Sequence, residues 1–294
     1  MARALGRPFI LDVRDLWPES IKTVGAIRGR LILRYLENLE QKLYRRADHI
    51  VTVGDGYRAQ LVSRGVHPSK ISIVTNGVDR RAFSPREPDV EFRRRYKLDQ
   101  AFVCSFVGTI GMAAGLEVVL GAAVQLKTAG RHDIRFLLVG DGAEREALKI
   151  QAEREMLGNV VFTGWVDKSR IPAVLASSDA CLVHRRKAEL FRHVLPCSLF
   201  EAAAMGKPII LGVEGQAAEL VSEAKAGLCI QPGNVRQLAE AVALLADDRE
   251  KALDLGRNGT EKLAPRFDFD NLAADYLRVI ETVYHGRTST SRLL

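Results

Sequence analysis

Short apolar runs alternate along this chain with stretches whose apolar residues recur at helical spacing. From residue 101 onward the runs Val103–Val107, Arg135–Val139, Val160–Thr163, Ala180–Val183, Pro208–Gly212 and Leu228–Ile230 read as strands. Between them the pattern predicts helices over Leu116–Lys127, Glu144–Met156, Ile171–Ala176, Leu199–Met205, Gln216–Ala224 and Val235–Ala246. Strand and helix in strict alternation imply βαβ units and a parallel sheet buried on both faces, hence one complete doubly wound domain. The first third follows the same grammar with three strands only, Phe9–Val13, His49–Val53 and Ile71–Val74, joined by helices near Ile27–Arg46 and Tyr57–Arg64. The charged stretch 86–96 reads as a linker, Asp270–Tyr284 as an amphipathic helix and residues 286–294 as a disordered tail.

Composition narrows the class. The chain has 294 residues, 47% apolar and 27% charged, enough for two domains with cores and inconsistent with a disordered or fibrous protein. No apolar run reaches the roughly 20 residues of a membrane span, and Asp12 interrupts any signal-like start, so a cytoplasmic chain is expected. Four cysteines without paired spacing suggest neither zinc nor disulfides; Cys104, Cys181 and Cys229 read as buried thiols, Cys197 as something else because of its neighbours. The net charge of +7 is uneven: residues 1–98 hold 20 Lys and Arg against 11 Asp and Glu, the rest 23 against 25. With 6% aromatics and no recognisable nucleic-acid motif, the basic third points to an anionic lipid or phosphorylated partner and not to nucleic acid.

The candidate chemistry gathers at three glycine turns after consecutive strands: Gly108-Thr109-Ile110-Gly111, Gly140-Asp141-Gly142 and Gly164-Trp165-Val166. In a parallel sheet all three fall at the carboxyl edge, where ligands bind and glycine lets backbone N–H groups approach a phosphate. Leu195-Pro196-Cys197-Ser198 then opens a helix with Glu201 near its start, ending at Gly206. A glutamate there complements the helix dipole, or else accepts hydrogen bonds from ribose hydroxyls.

In the order of these landmarks, with Thr75-Asn76-Gly77-Val78-Asp79 before them, the chain resembles the retaining, nucleotide-sugar-dependent glycosyltransferases of family 4. The run Asp12–Ser20 is similar to the bacterial surface-polysaccharide branch, of the colanic acid and O-antigen type. The resemblance implies an α/β GT-B fold of two Rossmann-like domains, the first incomplete: 1–98 on the acceptor side, 99–265 for the donor, and 266–285 as a helix closing back on the first. It implies transfer of a hexosyl or N-acetylhexosaminyl group from a UDP or GDP sugar to a lipid-linked or oligosaccharide acceptor, no bound metal or other cofactor, and peripheral contact with the inner face of the plasma membrane. Carried over by position, Glu201 meets the ribose and Val166 the base. Gly108 and Gly111 lie under the diphosphate, Thr109, Gly142, Arg192 and Ser198 are further donor-binding candidates, Glu219 follows the next strand, and Asp15 with His193 stands near the reacting sugar.

Two residues depart from the family pattern. His193 stands where the motif has a glutamate, with Arg192 beside it, and Ser198 where close relatives have a lysine. Arg192, Arg185 or Arg186 then supplies the missing cation, or Arg185-Arg186-Lys187 is a solvated run. The chain also opens inside the family's first domain, which implies truncation, self-association through an exposed sheet edge and weak activity. The alternatives are a nucleotide-sugar-binding protein impaired in catalysis and a nucleotide-sugar 2-epimerase; the Asn76–Asp79 turn and the Leu199–Pro208 helix speak against the second. Helix 27–46 is either a core-packing amphipath with a solvated basic face or a membrane-docking one.

Overall fold

The computed structural model describes residues 6–25, 27 and 29–290. Nine strands form among the described residues: β1 (Ile10–Val13), β2 (His49–Thr52), β3 (Ile71–Ile73), β4 (Phe102–Val107), β5 (Ile134–Val139), β6 (Val160–Gly164), β7 (Ala180–His184), β8 (Ile209–Gly212) and β9 (Gly227–Cys229). They build two parallel sheets, one of three strands in the order β1-β2-β3 and one of six in the order β6-β5-β4-β7-β8-β9. The second order reverses between β4 and β7, the crevice-forming switch point of doubly wound sheets.

The chain divides into two compact units. One contains Gly77–Lys187 and Pro196–Asp268; the other contains the residues up to Asn76, Ala188–Leu195 and everything from Phe269. In the larger unit, alternate residues of β4 and β5 serve opposite layers. Phe102, Phe106, Phe136 and Leu138 join one core cluster, while Val103, Leu137 and Val139 join another with Phe92 and Val174. A sheet covered on both faces needs such two-sided apolar strands.

The boundary lies at Gly77, not at residue 98, and the stretch 86–96 is no loose linker. Val78 N–H donates to Phe267 O at 2.9 Å, stitching the chain to the larger unit as soon as it arrives there. Asp89 then caps a short helix, Val90–Arg95, by accepting from Phe92 N–H at 2.9 Å. Phe92 is buried in the second core cluster, and Arg93 donates to Ser177 O at 2.8 Å.

Three further expectations are corrected. The final helix runs Phe269–Thr290, so residues 286–290 are helical where a tail was expected; 291–294 lie outside the described residues. Cys229 is exposed because β9 is an edge strand, whereas Cys104 and Cys181 are buried. The helix expected from Ile27 spans Arg30–Arg46, Arg28 lying outside the described residues, and its apolar stripe is not core: Tyr44 alone is buried, and Leu31, Ile32, Tyr35, Leu39 and Leu43 are exposed.

Candidate functional site

The three glycine turns are laced together at the carboxyl edge of β4, β5 and β6. Gly108 N–H donates to Val139 O at 3.0 Å, Ile110 N–H to Asp141 O at 2.9 Å and Gly140 N–H to Gly164 O at 3.0 Å. Gly140 has φ +133°, and a Cβ there would sit 2.0 Å from Gly108 O. Only glycine permits this approach of two turns.

Above the turns lies a cavity of about 580 Å³. Of the residues expected at a donor site, Gly108, Thr109, Val166, Ser198 and Glu201 line it. The helix Cys197–Ala204 opens at its rim. Pro196 is the N-cap and no side chain caps the helix, so the positive end of its dipole lies at a rim lined by Cys197 and Ser198, where an anion is favoured. Glu201 stands one turn further on the same face. Burial pushes its carboxyl above the usual glutamate range, and the Lys168 ammonium pulls in the opposite direction. Lys168 and Arg185 also line the cavity. They bring positive charge to a rim where Ser198 replaces the expected lysine.

Other expected residues stand elsewhere. Gly142 holds the second turn with φ +156°, its missing Cβ leaving room for Ile110 O, but neither Gly142 nor Gly111 lines the cavity. Glu219 is exposed in the first turn of Gln216–Ala224, outside the cavity. Arg192 and His193 belong to the smaller unit. Arg192 is exposed and pairs with Glu189 at 3.3 Å; the His193 ring lies where a Cβ on Gly56 would be, 2.1 Å from Nδ1. Segment 188–195 folds onto the helix Asp55–Ser63 of that unit, and neither residue is among those lining the cavity.

Asp15, also in the smaller unit, is exposed. Its neighbour Arg14 is fully engaged: Nε pairs with Asp12 at 2.8 Å, and Nη1 donates to Val74 O and Asn76 Oδ1, each at 3.3 Å. Asn76 in turn donates to Leu195 O at 2.9 Å, so Arg14 braces the ends of two segments.

Trp165, Lys168 and Phe83 line the cavity without having been expected there. Position after the third glycine turn was the available signal for the first two; nothing in the pattern marked Phe83. Asp268 and Asp270 stand two apart, a spacing used for metal-diphosphate binding elsewhere, but Asp268 pairs with Arg80 at 3.5 Å and neither lines the cavity. Among the described residues no group of three His, Cys, Asp or Glu is placed to hold a metal ion.

A second cavity, about 760 Å³, lies in the smaller unit among Glu19, Glu37, Asn38, Glu40 and Arg64. Arg64 Nη1 meets both Glu40 carboxylate oxygens at 2.9 Å and Arg64 also pairs with Glu19, while Tyr44 OH donates to Glu40 at 2.5 Å. Burial raises the Glu40 carboxyl. This network ties the helix Arg30–Arg46 to Glu19 and to Arg64, the residue that ends Asp55–Ser63.

Comparison with known proteins gives the family and the fold. The family model described as "Glycosyl transferases group 1" matches residues 89–262, and "Glycosyltransferase Family 4" matches residues 1–81. A 2-deoxystreptamine glucosyltransferase of Streptomyces kanamyceticus is 30% identical over 95% of this chain and 73% of its own length. A GDP-mannose-dependent alpha-(1-6)-phosphatidylinositol monomannoside mannosyltransferase of Mycobacterium tuberculosis is 30% identical over 78% of this chain and 61% of its own. Among solved structures, Anabaena HepE in complex with UDP and glucose superposes with a TM-score of 0.78 at 20% identity, covering 96% of this chain and 73% of that one. The fold is therefore the α/β GT-B type, with parallel sheets. The chain spans 49% to 73% of the length of the first three curated relatives it matches.

Proposed function

The chain belongs to the glycosyl transferases of group 1, and from that premise we propose that it moves a hexosyl or N-acetylhexosaminyl group from a nucleotide diphosphate sugar to a lipid-linked or oligosaccharide acceptor, with retention at the anomeric carbon. The observation that carries this reading is Glu201 beside the uncapped start of Cys197–Ala204, above three interlaced glycine turns. Two or three N–H groups and a helix dipole suit a diphosphate, and a carboxylate one turn on suits two ribose hydroxyls. The names of relatives fit: one uses GDP-mannose, and HepE is seen with UDP.

In this reading Gly108, Thr109 and Ser198 face the diphosphate, with Lys168 and Arg185 balancing its charge as it departs. Gly111 and Gly142 hold the turns in shape and Val166 offers backbone groups to the base. The smaller unit takes the acceptor, and Asp15 and His193 are the candidates there for contact with the reacting sugar. The exposed Leu31, Ile32 and Tyr35 beside Arg30 and Arg34 suit an anionic membrane surface, where a lipid-linked acceptor would be met. A surface-polysaccharide role rests on the Asp12–Ser20 run.

Incubation with radiolabelled UDP-glucose, UDP-N-acetylglucosamine and GDP-mannose, each with a prenyl-diphosphate sugar, tests the proposal. The expected result is label in the lipid product with the donor's anomeric configuration by NMR. Inversion would remove the retaining assignment. Saturable donor binding without any transfer would select the second reading, a nucleotide-sugar-binding protein, which Ser198 and His193 at the two departures favour.

A further inference from the structure

We infer that the indole of Trp165 is the platform on which the donor's nucleobase stacks. The inference rests on the donor-site reading above and extends it to the faces of the base, which backbone groups at its edge leave without a partner. Phosphates and ribose find N–H groups, cations and a carboxylate; a base needs a planar apolar surface, and stacking works for any base because each has a π-face.

Two aromatic side chains line the cavity, Phe83 and Trp165. Phe83 is 7% exposed and committed to the core, whereas Trp165 is 72% exposed. It takes part in no ring pairing or cation–π contact among the described residues. An indole left in water at the mouth of a binding cavity costs the fold apolar burial that a stacked base would restore.

The chain around Trp165 is held on both sides, so the platform is presented with little ordering left to do. Before it, Gly164 turns the chain out of β6 with φ +74°, and its carbonyl oxygen accepts from Gly140 N–H at 3.0 Å and from Thr163 Oγ at 2.9 Å. After it, Asp167 Oδ1 accepts from Ser169 N–H at 2.9 Å and Oγ at 2.5 Å, fixing the turn Lys168–Arg170. With two rotatable bonds of its own, a tryptophan on such a support loses little entropy on contact. Val166, on the same stretch, also lines the cavity, so the stretch that carries the platform would also meet the edge of the base.

The chain has two tryptophans, Trp17 and Trp165, which makes the test direct. In a Trp17→Phe chain all indole emission comes from Trp165. This protein is titrated with UDP, GDP and inorganic pyrophosphate, following fluorescence and heat together. The expected result is saturable quenching by at least one nucleotide with the same midpoint as the calorimetric isotherm, and none by pyrophosphate. Trp165→Ala should weaken binding of that nucleotide about 10- to 100-fold, with Trp165→Phe recovering most of it and pyrophosphate binding unchanged. Nucleotide binding by calorimetry with silent emission, or with full affinity in Trp165→Ala, would overturn the platform and leave the donor site standing. Quenching by pyrophosphate to the same extent would also overturn it. If neither nucleotide binds, the platform and the donor-site reading fall together.

Discussion

Two residues of the larger unit hold their protonation states against water, and each makes a consequence measurable. Burial raises the Glu201 carboxyl while Lys168 draws it down, so the carboxylate proposed to accept from ribose takes up a proton more readily than an exposed glutamate as pH falls. Nucleotide affinity should therefore fall as pH drops from 7.5 toward 5, and Lys168→Met should move that loss to higher pH. Glu201→Gln should remove the dependence at a cost of about 1.5 to 3 kcal/mol in binding; calorimetry across pH checks all three, and a pH-independent parent would take Glu201 out of the site. His184 is the opposite case. It is 1% exposed, its Nδ1 stands 2.7 Å from Ala114 O and its Nε2 accepts from Gly233 N–H at 2.9 Å, so the ring is neutral with both nitrogens used. Burial holds its pKa below the ordinary 6.5. The unfolded chain then binds a proton that the native chain refuses, so stability is full above about 6.5 and drains away as pH falls toward the native value. Thermal melts between pH 7.5 and 5 should show a shallower pH slope for His184→Asn than for the parent; parallel slopes would refute it.

At the scale of elements, the hydrophobic pattern placed the nine described strands within one or two residues, because each is a short apolar run between polar or glycine turns, most plainly in β4, β5, β7 and β8, which are buried on both faces. What the pattern left obscure was allegiance. The helix Val90–Arg95 looks like a charged linker until Phe92 is seen to enter the core, and Arg192 and His193 lie in sequence beside Pro196 yet fold with the smaller unit. The site was legible in the same measure: glycine turns and a helix start announce themselves locally, and Lys168 follows the third turn, whereas Phe83 reaches the cavity through packing that no spacing encodes. The helix Arg30–Arg46 shows the limit most clearly. Its amphipathic pattern was evident, but which side faces what was not, and Leu31 is 83% exposed. An apolar row flanked by Arg30, Arg34, Lys42, Arg45 and Arg46 should bind vesicles containing phosphatidylglycerol, with binding weakened by 0.5 M salt, since surface attraction of basic residues is screened. Leu31→Glu and Tyr35→Glu together should abolish co-sedimentation while leaving nucleotide binding intact. Equal sedimentation with neutral phosphatidylcholine vesicles at all salt concentrations would exclude the electrostatic part.

The molecule as a whole assigns unequal resources to its two units. One has a six-stranded sheet whose faces are both packed; the other has three strands among the described residues and leaves much of a 17-residue helix's apolar side in water. Stability scales with apolar burial, so the smaller unit should unfold at the lower denaturant concentration. The sequence supplies a reporter for each, because Trp17 belongs to the smaller unit and Trp165 to the larger. Single-tryptophan variants, Trp165→Phe and Trp17→Phe, unfolded in urea should give two midpoints, the Trp17 signal changing first. Nucleotide binding adds a sharper condition. A ligand held by one folded unit stabilises that unit by RT ln(1 + [L]/Kd), about 2.7 kcal/mol at a hundredfold excess over Kd. With a saturating nucleotide the Trp165 midpoint should rise and the Trp17 midpoint stay where it was. Should both rise together, the units unfold as one and the donor's binding energy is shared across the molecule; should only the Trp17 midpoint rise, the nucleotide site lies in the smaller unit and the glycine turns are scaffold.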